Sequence, residues 1–139
     1  MILEKKKDQN FLNNKIEKKV FVLLLSYINY CHGTTKHEKE IINKVCYHYG
    51  LTNELRLTEK YFECYGDYLI EKRIFKILDS STYIKKNNKL QILVAIWNIS
   101  FKKGHITPFE FQSIKKIAST WKVEKHFNRI LCLLSYHYN

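Results

Sequence analysis

Apolar residues recur along most of this chain with the three- and four-residue spacing of an α-helix. The spacing begins near Lys15, and its first repeat comprises Val20, Leu23, Leu24, Tyr27, Ile28 and Cys31. Phe21, Val22 and Leu25 add apolar side chains to the other faces of this segment. A helix that is apolar on most sides belongs in the middle of a bundle, so the pattern predicts a buried first helix.

Later segments predict helices with one apolar face each, and none shows the alternation of a β-strand. The second helix carries Ile41, Ile42, Val45, Cys46 and Tyr49 and ends at Gly50. Further helices are predicted around 58–65, with Tyr61, Phe62 and Tyr65 facing inward, then at 67–78 and 84–102, around Ile114 to Trp121, and from Phe127 to Leu134. The sequence therefore predicts an all-α bundle of about six or seven helices, with one domain at 15–139 after a flexible segment at 1–14.

The composition agrees with helices and gives a strong positive charge. Four Gly and one Pro are too few for the many turns of an all-β protein. The net charge is +11, which is typical of proteins that bind nucleic acid or an anionic membrane surface. However, the lysines are spread along the whole chain and most of the aromatic residues lie at core-facing helical positions. We therefore favour a solvated lysine surface and keep nucleic-acid binding as an alternative.

The apolar run at 20–31 is too short to span a bilayer, which takes about 20 residues. The long polar stretch before it and the lack of a cleavage site after it argue against a signal peptide. Cysteines occur at positions 31, 46, 64 and 132 without a C-x-x-C pair. We expect buried free thiols in the reducing environment of the cytoplasm.

One stretch, "YCHGTTKHEKEII" at 30–42, resembles a metal site. Cys31, His32, His37 and Glu38 are residue types that bind zinc or iron. Yet "HEKEI" lacks the second His of H-E-x-x-H, because Ile41 stands in its place. The candidate metal ligands are therefore His32, His37, Glu38 and Glu110, but we expect neither a bound metal nor a cofactor.

The same stretch has a counterpart in the second half of the chain, "FKKGHITPFEFQSI" at 101–114. Each stretch follows a long apolar helix and contains a Gly, a Thr and a Glu three residues after the Thr. The corresponding residues are Gly33 and Gly104, Thr35 and Thr107, and Glu38 and Glu110. The Thr pair and the Glu pair are each 72 residues apart and the Gly pair 71. This offset predicts two pseudo-repeated helix-loop-helix units.

Elementary helix chemistry explains both joints without a ligand. T-x-x-E is a capping box, in which Thr and Glu satisfy the free backbone N–H groups of a helix start. Pro108 falls at the first helical position, where a missing N–H costs nothing. The glycines supply the positive φ that ends the preceding helix.

The paired joints resemble the TerB-like domain family, and most closely the N-terminal domain of DjlA-type membrane co-chaperones. The likeness is carried by "KLQILVAIWNISFKKGHITPFEFQSIKKIASTWKVEKHFNRIL" (89–131) and "EKYFECYGDYLIEKRIFKIL" (59–78). The chain departs from the family at His32 and Lys103, where an acidic residue usually precedes the Gly, and at Lys122, which replaces a Gly. The His-Pro-Asp motif of a J domain is also missing, since Pro108 follows Thr107.

The resemblance implies a non-catalytic module for protein–protein interaction or self-association, such as a homodimer, in a chaperone or stress-response context. The terminal "LLSYHYN" (133–139) is a candidate contact. The alternatives are a basic nucleic-acid-binding helical protein and a metal-binding protein related to tellurite resistance.

Overall fold

The computed structural model describes residues 12, 14–30, 36–101 and 104–138. Within them the chain forms helices and no β-strand, which confirms the all-α prediction. The seven helices are α1 Lys15–Tyr30, α2 Lys36–His48, α3 Thr52–Cys64, α4 Asp67–Asp79, α5 Lys86–Phe101, α6 Pro108–Thr120 and α7 Glu124–Tyr138. No helix of the described part is both long and apolar enough to cross a bilayer.

Contacts between residues divide the chain into two compact units, Met1–Ile77 and Leu78–Asn139. The boundary falls within α4. The sequence predicted one domain over 15–139. It contains no signal for a division inside a continuous helix.

The first unit is built around α1, which packs against α2 and α3. Phe21, Val22, Leu24, Leu25 and Ile28 have no exposed surface, as predicted for a central helix that is apolar on most sides. The helix begins at an Asn cap: the Asn14 side chain accepts a hydrogen bond from the Glu17 backbone N–H and donates one to the Glu17 carboxylate. Leu12, just before the cap, is buried.

Helix α3 begins earlier than the sequence predicted. The prediction started near Thr58, whereas α3 covers Thr52–Cys64. Its first turns bury only Leu55, so the apolar spacing there is too sparse to reveal a helix. Phe62 is buried as expected, while Tyr61 and Tyr65 are half-buried.

Gly50 ends α2 as predicted, with a positive φ of 70°. The Leu51 N–H donates to the Cys46 carbonyl at 2.7 Å and the Gly50 N–H donates to the Tyr47 carbonyl at 3.2 Å. These two bonds form a Schellman motif, and Leu51 and Cys46, at its two ends, are both fully buried.

In the second unit α5, α6 and α7 pack against one another. Trp97 makes edge contacts with the rings of Phe111 and Phe127, at centroid distances of 5.8 and 6.2 Å. Trp121, just after α6, is buried, and its indole N–H donates to the Ser81 hydroxyl at 2.9 Å. This bond satisfies the one polar atom of the Trp121 ring.

The helix bounds in the two halves follow the offset of the joints. Helices α1 and α5 each have 16 residues and begin 71 positions apart, and α2 and α6 each have 13 residues and begin 72 apart. The pseudo-repeat remains a prediction from sequence, and these bounds support it.

Candidate functional site

The joint between α5 and α6 has the geometry of a capping box. Gly104 has a φ of 103° and donates its N–H to the Phe101 carbonyl at 2.9 Å. The Thr107 hydroxyl accepts from the Glu110 N–H at 3.2 Å, and the Glu110 carboxylate accepts from the Thr107 N–H at 3.0 Å. The same carboxylate oxygen accepts from the Thr107 hydroxyl at 2.8 Å. Glu110 is 2% exposed, so this candidate metal ligand acts in the structure as a buried helix cap.

Much of the other joint lies outside the described residues. Cys31, His32, Gly33 and Thr35 belong to that part of the chain, and so does Lys103 of the second joint. Glu38 lies half-buried in the first turn of α2 and His37 is exposed beside it. In the part of the chain that the structure describes, no three His, Cys, Asp or Glu residues form a group that could hold a metal ion.

The cysteines differ from one another in exposure. Cys46 is fully buried as expected, but Cys64 and Cys132 are exposed, so the prediction of buried thiols is wrong for these two. Cys64 is the last residue of α3, and Cys132 lies on an outward face of α7. Burial raises the pKa of the Cys46 thiol to about 12, with a further contribution from the Glu59 and Glu54 carboxylates. Cys46 therefore stays protonated at neutral pH and is a packing residue.

The first unit contains a concave groove. It encloses about 200 Å³ between α1, α2 and α3. Its apolar floor consists of Ile42, Leu55 and Phe62, all of which are buried. Its polar lining residues are Ser26, Lys39, Asn43, Thr58, Glu59 and Glu63.

The polar residues that line the groove differ in their exposure and in their hydrogen bonds. Lys39, Asn43, Glu59 and Glu63 are exposed at the rim. Thr58 is buried and donates its hydroxyl proton to the Glu54 carbonyl at 2.8 Å. The buried Ser26 hydroxyl has no hydrogen-bond partner among the described residues, although buried hydroxyls usually have one.

Sequence reasoning missed the groove residues, although a local signal for them exists. Lys39 and Asn43 are four positions apart on α2, and Glu59 and Glu63 are four positions apart on α3. Residues with this spacing lie on the same helix face. What the sequence does not show is that the two pairs line the same groove.

Most of the described aromatic side chains are buried or half-buried, as expected, but several rings are exposed. The exposed rings are Tyr47, Tyr68, Tyr83, Phe101, Phe109 and Phe111. Leu133 of the predicted C-terminal contact is 61% exposed. The side chains from position 135 onward lie outside the described ones.

Comparison of the chain with protein-family models, with curated proteins and with solved structures gives no match.

Proposed function

We propose that this chain is a non-catalytic, TerB-like interaction module of a chaperone or stress-response system, and that its first unit binds one apolar side chain of a protein partner. The supporting observation is the groove between α1, α2 and α3, with its apolar floor and charged rim.

The size of the groove favours a protein side chain over a free small molecule. Drug-sized ligands occupy pockets of about 300–1,000 Å³, and this groove encloses about 200 Å³. Protein interfaces commonly place one large anchor residue in a desolvated pocket surrounded by polar contacts. A floor of Ile42, Leu55 and Phe62 suits such an anchor.

The rim charges indicate what accompanies the anchor. Glu59 and Glu63 contribute two negative charges and Lys39 one positive charge, so the rim is net acidic on a chain that is strongly basic elsewhere. A partner that carries Lys or Arg beside its apolar anchor is complementary to this rim, and such complementarity raises association rates and specificity.

A second copy of this chain meets the same requirement, which supports self-association as one form of the proposal. Leu133 is 61% exposed on α7, and the exposed Arg129 lies four residues earlier. The two side chains therefore share a helix face that presents an apolar anchor next to a cation.

The test is sedimentation velocity over a wide concentration range, combined with crosslinked capture of partners from native lysate. We expect the charge reversal Glu59→Lys with Glu63→Lys to weaken the apparent affinity of the complex by at least tenfold. The matched control is Glu40→Lys with Asp79→Lys, which changes the net charge equally at exposed positions outside the groove lining. The proposal fails if the wild type stays monomeric and captures no protein whose retention depends on Glu59 and Glu63.

A further inference from the structure

The net charge is divided unequally between the two units. Leu78–Asn139 contains ten Lys and Arg against three Asp and Glu, a net charge of +7. Met1–Ile77 contains fourteen against ten, a net charge of +4 from a longer segment. One of the three carboxylates of the second unit, Glu110, is buried in the capping box. The exposed surface of this unit is therefore dominated by cations.

Contacts bring several of these cations to one end of the second unit. The Lys86 ammonium lies 3.3 Å from His126 Nε2. This contact joins the start of α5 to the start of α7. The Lys89 ammonium lies 5.7 Å from the Trp121 ring centre, and Trp121 is followed directly by Lys122. We call the resulting surface the basic face; its residues are Lys85, Lys86, Lys89, Lys122 and Lys125.

The lysines of the basic face have no acidic partner among the described residues, unlike Lys115 of the same unit. Lys115 lies 3.9 Å from the Glu124 carboxylate and donates to the Asn128 side chain at 3.1 Å. In the part of the chain that the structure describes, the lysines of the basic face have no ion pair, and Lys86 contacts only the ring nitrogen of His126. Helix α5 also has no acidic residue in its first turn. Like charges gathered without counter-charges repel one another, and an anionic ligand relieves that repulsion.

An exposed aromatic ring accompanies the cations. Tyr83 is 53% exposed and lies two residues before Lys85. Proteins that bind single-stranded nucleic acid combine a positively charged surface along the backbone with aromatic rings on which bases stack. From this combination we propose that the basic face and Tyr83 bind the phosphate backbone and one base of a single-stranded nucleic acid.

The same cations would attract an acidic protein segment, but Tyr83 favours the nucleic acid. Carboxylate side chains have no planar apolar face to cover an exposed phenol ring, whereas every base has one. The lysines also act as point charges, which suits contacts to phosphates without base-specific readout. The proposal concerns a surface of the second unit and does not depend on the groove of the first.

The test is fluorescence anisotropy with a labelled mixed-sequence single-stranded DNA of about 20 nucleotides, titrated at several salt concentrations. The variant is Lys85→Gln, Lys86→Gln and Lys125→Gln together. The slope of log K against log salt is negative, and each lost phosphate contact reduces its magnitude by about 0.7 for a single strand. We therefore expect the magnitude of the slope to fall by about 2 and the affinity at low salt to weaken at least tenfold. The matched control, Lys36→Gln, Lys44→Gln and Lys60→Gln, removes the same charge from exposed positions of the first unit and should retain most of the affinity and the slope.

Stacking has a separate readout. We expect Tyr83→Ala to weaken binding by about fivefold or more, with an unchanged salt slope, and Tyr83→Phe to bind like the wild type, since stacking contributes about 1–3 kcal/mol per base. Equal losses in the triple variant and its control would overturn the proposal. The proposal would also be overturned if the protein bound poly-glutamate more tightly than DNA and the triple variant lost this binding. The basic face would then be assigned to an acidic protein segment.

Discussion

At the residue scale, Cys46 shows how packing decides the chemistry of a side chain. Its carbonyl accepts the Leu51 N–H in the Schellman motif that ends α2, and both residues are fully buried. Water cannot solvate a thiolate there, and the nearby carboxylates of Glu59 and Glu54 disfavour it further. Cys64 and Cys132, by contrast, are exposed at the surface.

We predict that Cys46 makes folding stability fall at high pH. The thiol ionises near its ordinary pKa of 9.0 in the unfolded chain and only near 12 in the folded chain. Between these values the folded state binds more protons, so its stability is complete below pH 9 and declines as the pH rises. Denaturant unfolding should show a steeper decline for the wild type than for Cys46→Ala, by up to about 1.4 kcal/mol per pH unit. Equal slopes would contradict the assignment.

Lys122 is the second informative residue, because its backbone has a φ of 60°. The Val123 N–H donates to the Ala118 carbonyl and the Lys122 N–H to the Ser119 carbonyl, both at 3.0 Å. This is the Schellman motif of Gly50 repeated 72 positions later. A left-handed residue at this position of a Schellman motif is usually a Gly, which has no Cβ.

We predict opposite effects for exchanging the residue types at these two positions. Lys122→Gly should stabilise the protein by about 1 kcal/mol, because a residue with a Cβ is strained at positive φ. Gly50→Ala should destabilise it by a similar amount, and since a Cβ there would meet no atom within 4 Å, the cost arises from the backbone alone. Thermal unfolding of both variants measures this, and a destabilised Lys122→Gly would refute the account.

At the scale of elements, the sequence predicts where most helices begin and end because local chemistry sets those ends. Thr107 and Glu110 mark the start of α6 by their spacing alone, and the structure places the capping box there. The sequence does not predict the early start of α3, because the first turns of this helix bury little more than Leu55. The groove and the basic face could not be predicted for another reason. Each combines residues from separate helices, and helical periodicity contains no information about which helices pack together.

We predict that Thr107→Ala lowers the free energy of unfolding by about 1 kcal/mol, because it removes the side-chain bonds that satisfy the first turn of α6. Ser119→Ala, an exposed change near the other end of the same helix, is the control and should change the stability by less than about 0.5 kcal/mol. Denaturant titration monitored by circular dichroism compares the two. Equal effects would show that the capping box contributes nothing of its own.

At the scale of the whole molecule, two units with different surfaces occur in one chain. The first has a small groove with an acidic rim, and the second has the larger net charge and the basic face. The sequence already contains the total charge of +11, but its even spread of lysines along the chain conceals the concentration of cations at one end of the second unit. The two proposed binding activities are therefore separable by substitutions in different units.

The aromatic packing of the second unit also makes it optically distinct. Both tryptophans of the chain, Trp97 and Trp121, belong to Leu78–Asn139. Trp97 lies against Phe111 and Phe127, and Trp121 is buried with its indole N–H bonded to Ser81. Selective excitation of tryptophan therefore reports the unfolding of this unit alone, whereas far-ultraviolet circular dichroism reports the helices of both. A single protein sample contains its own spectroscopic label for following one half of the chain without any chemical modification.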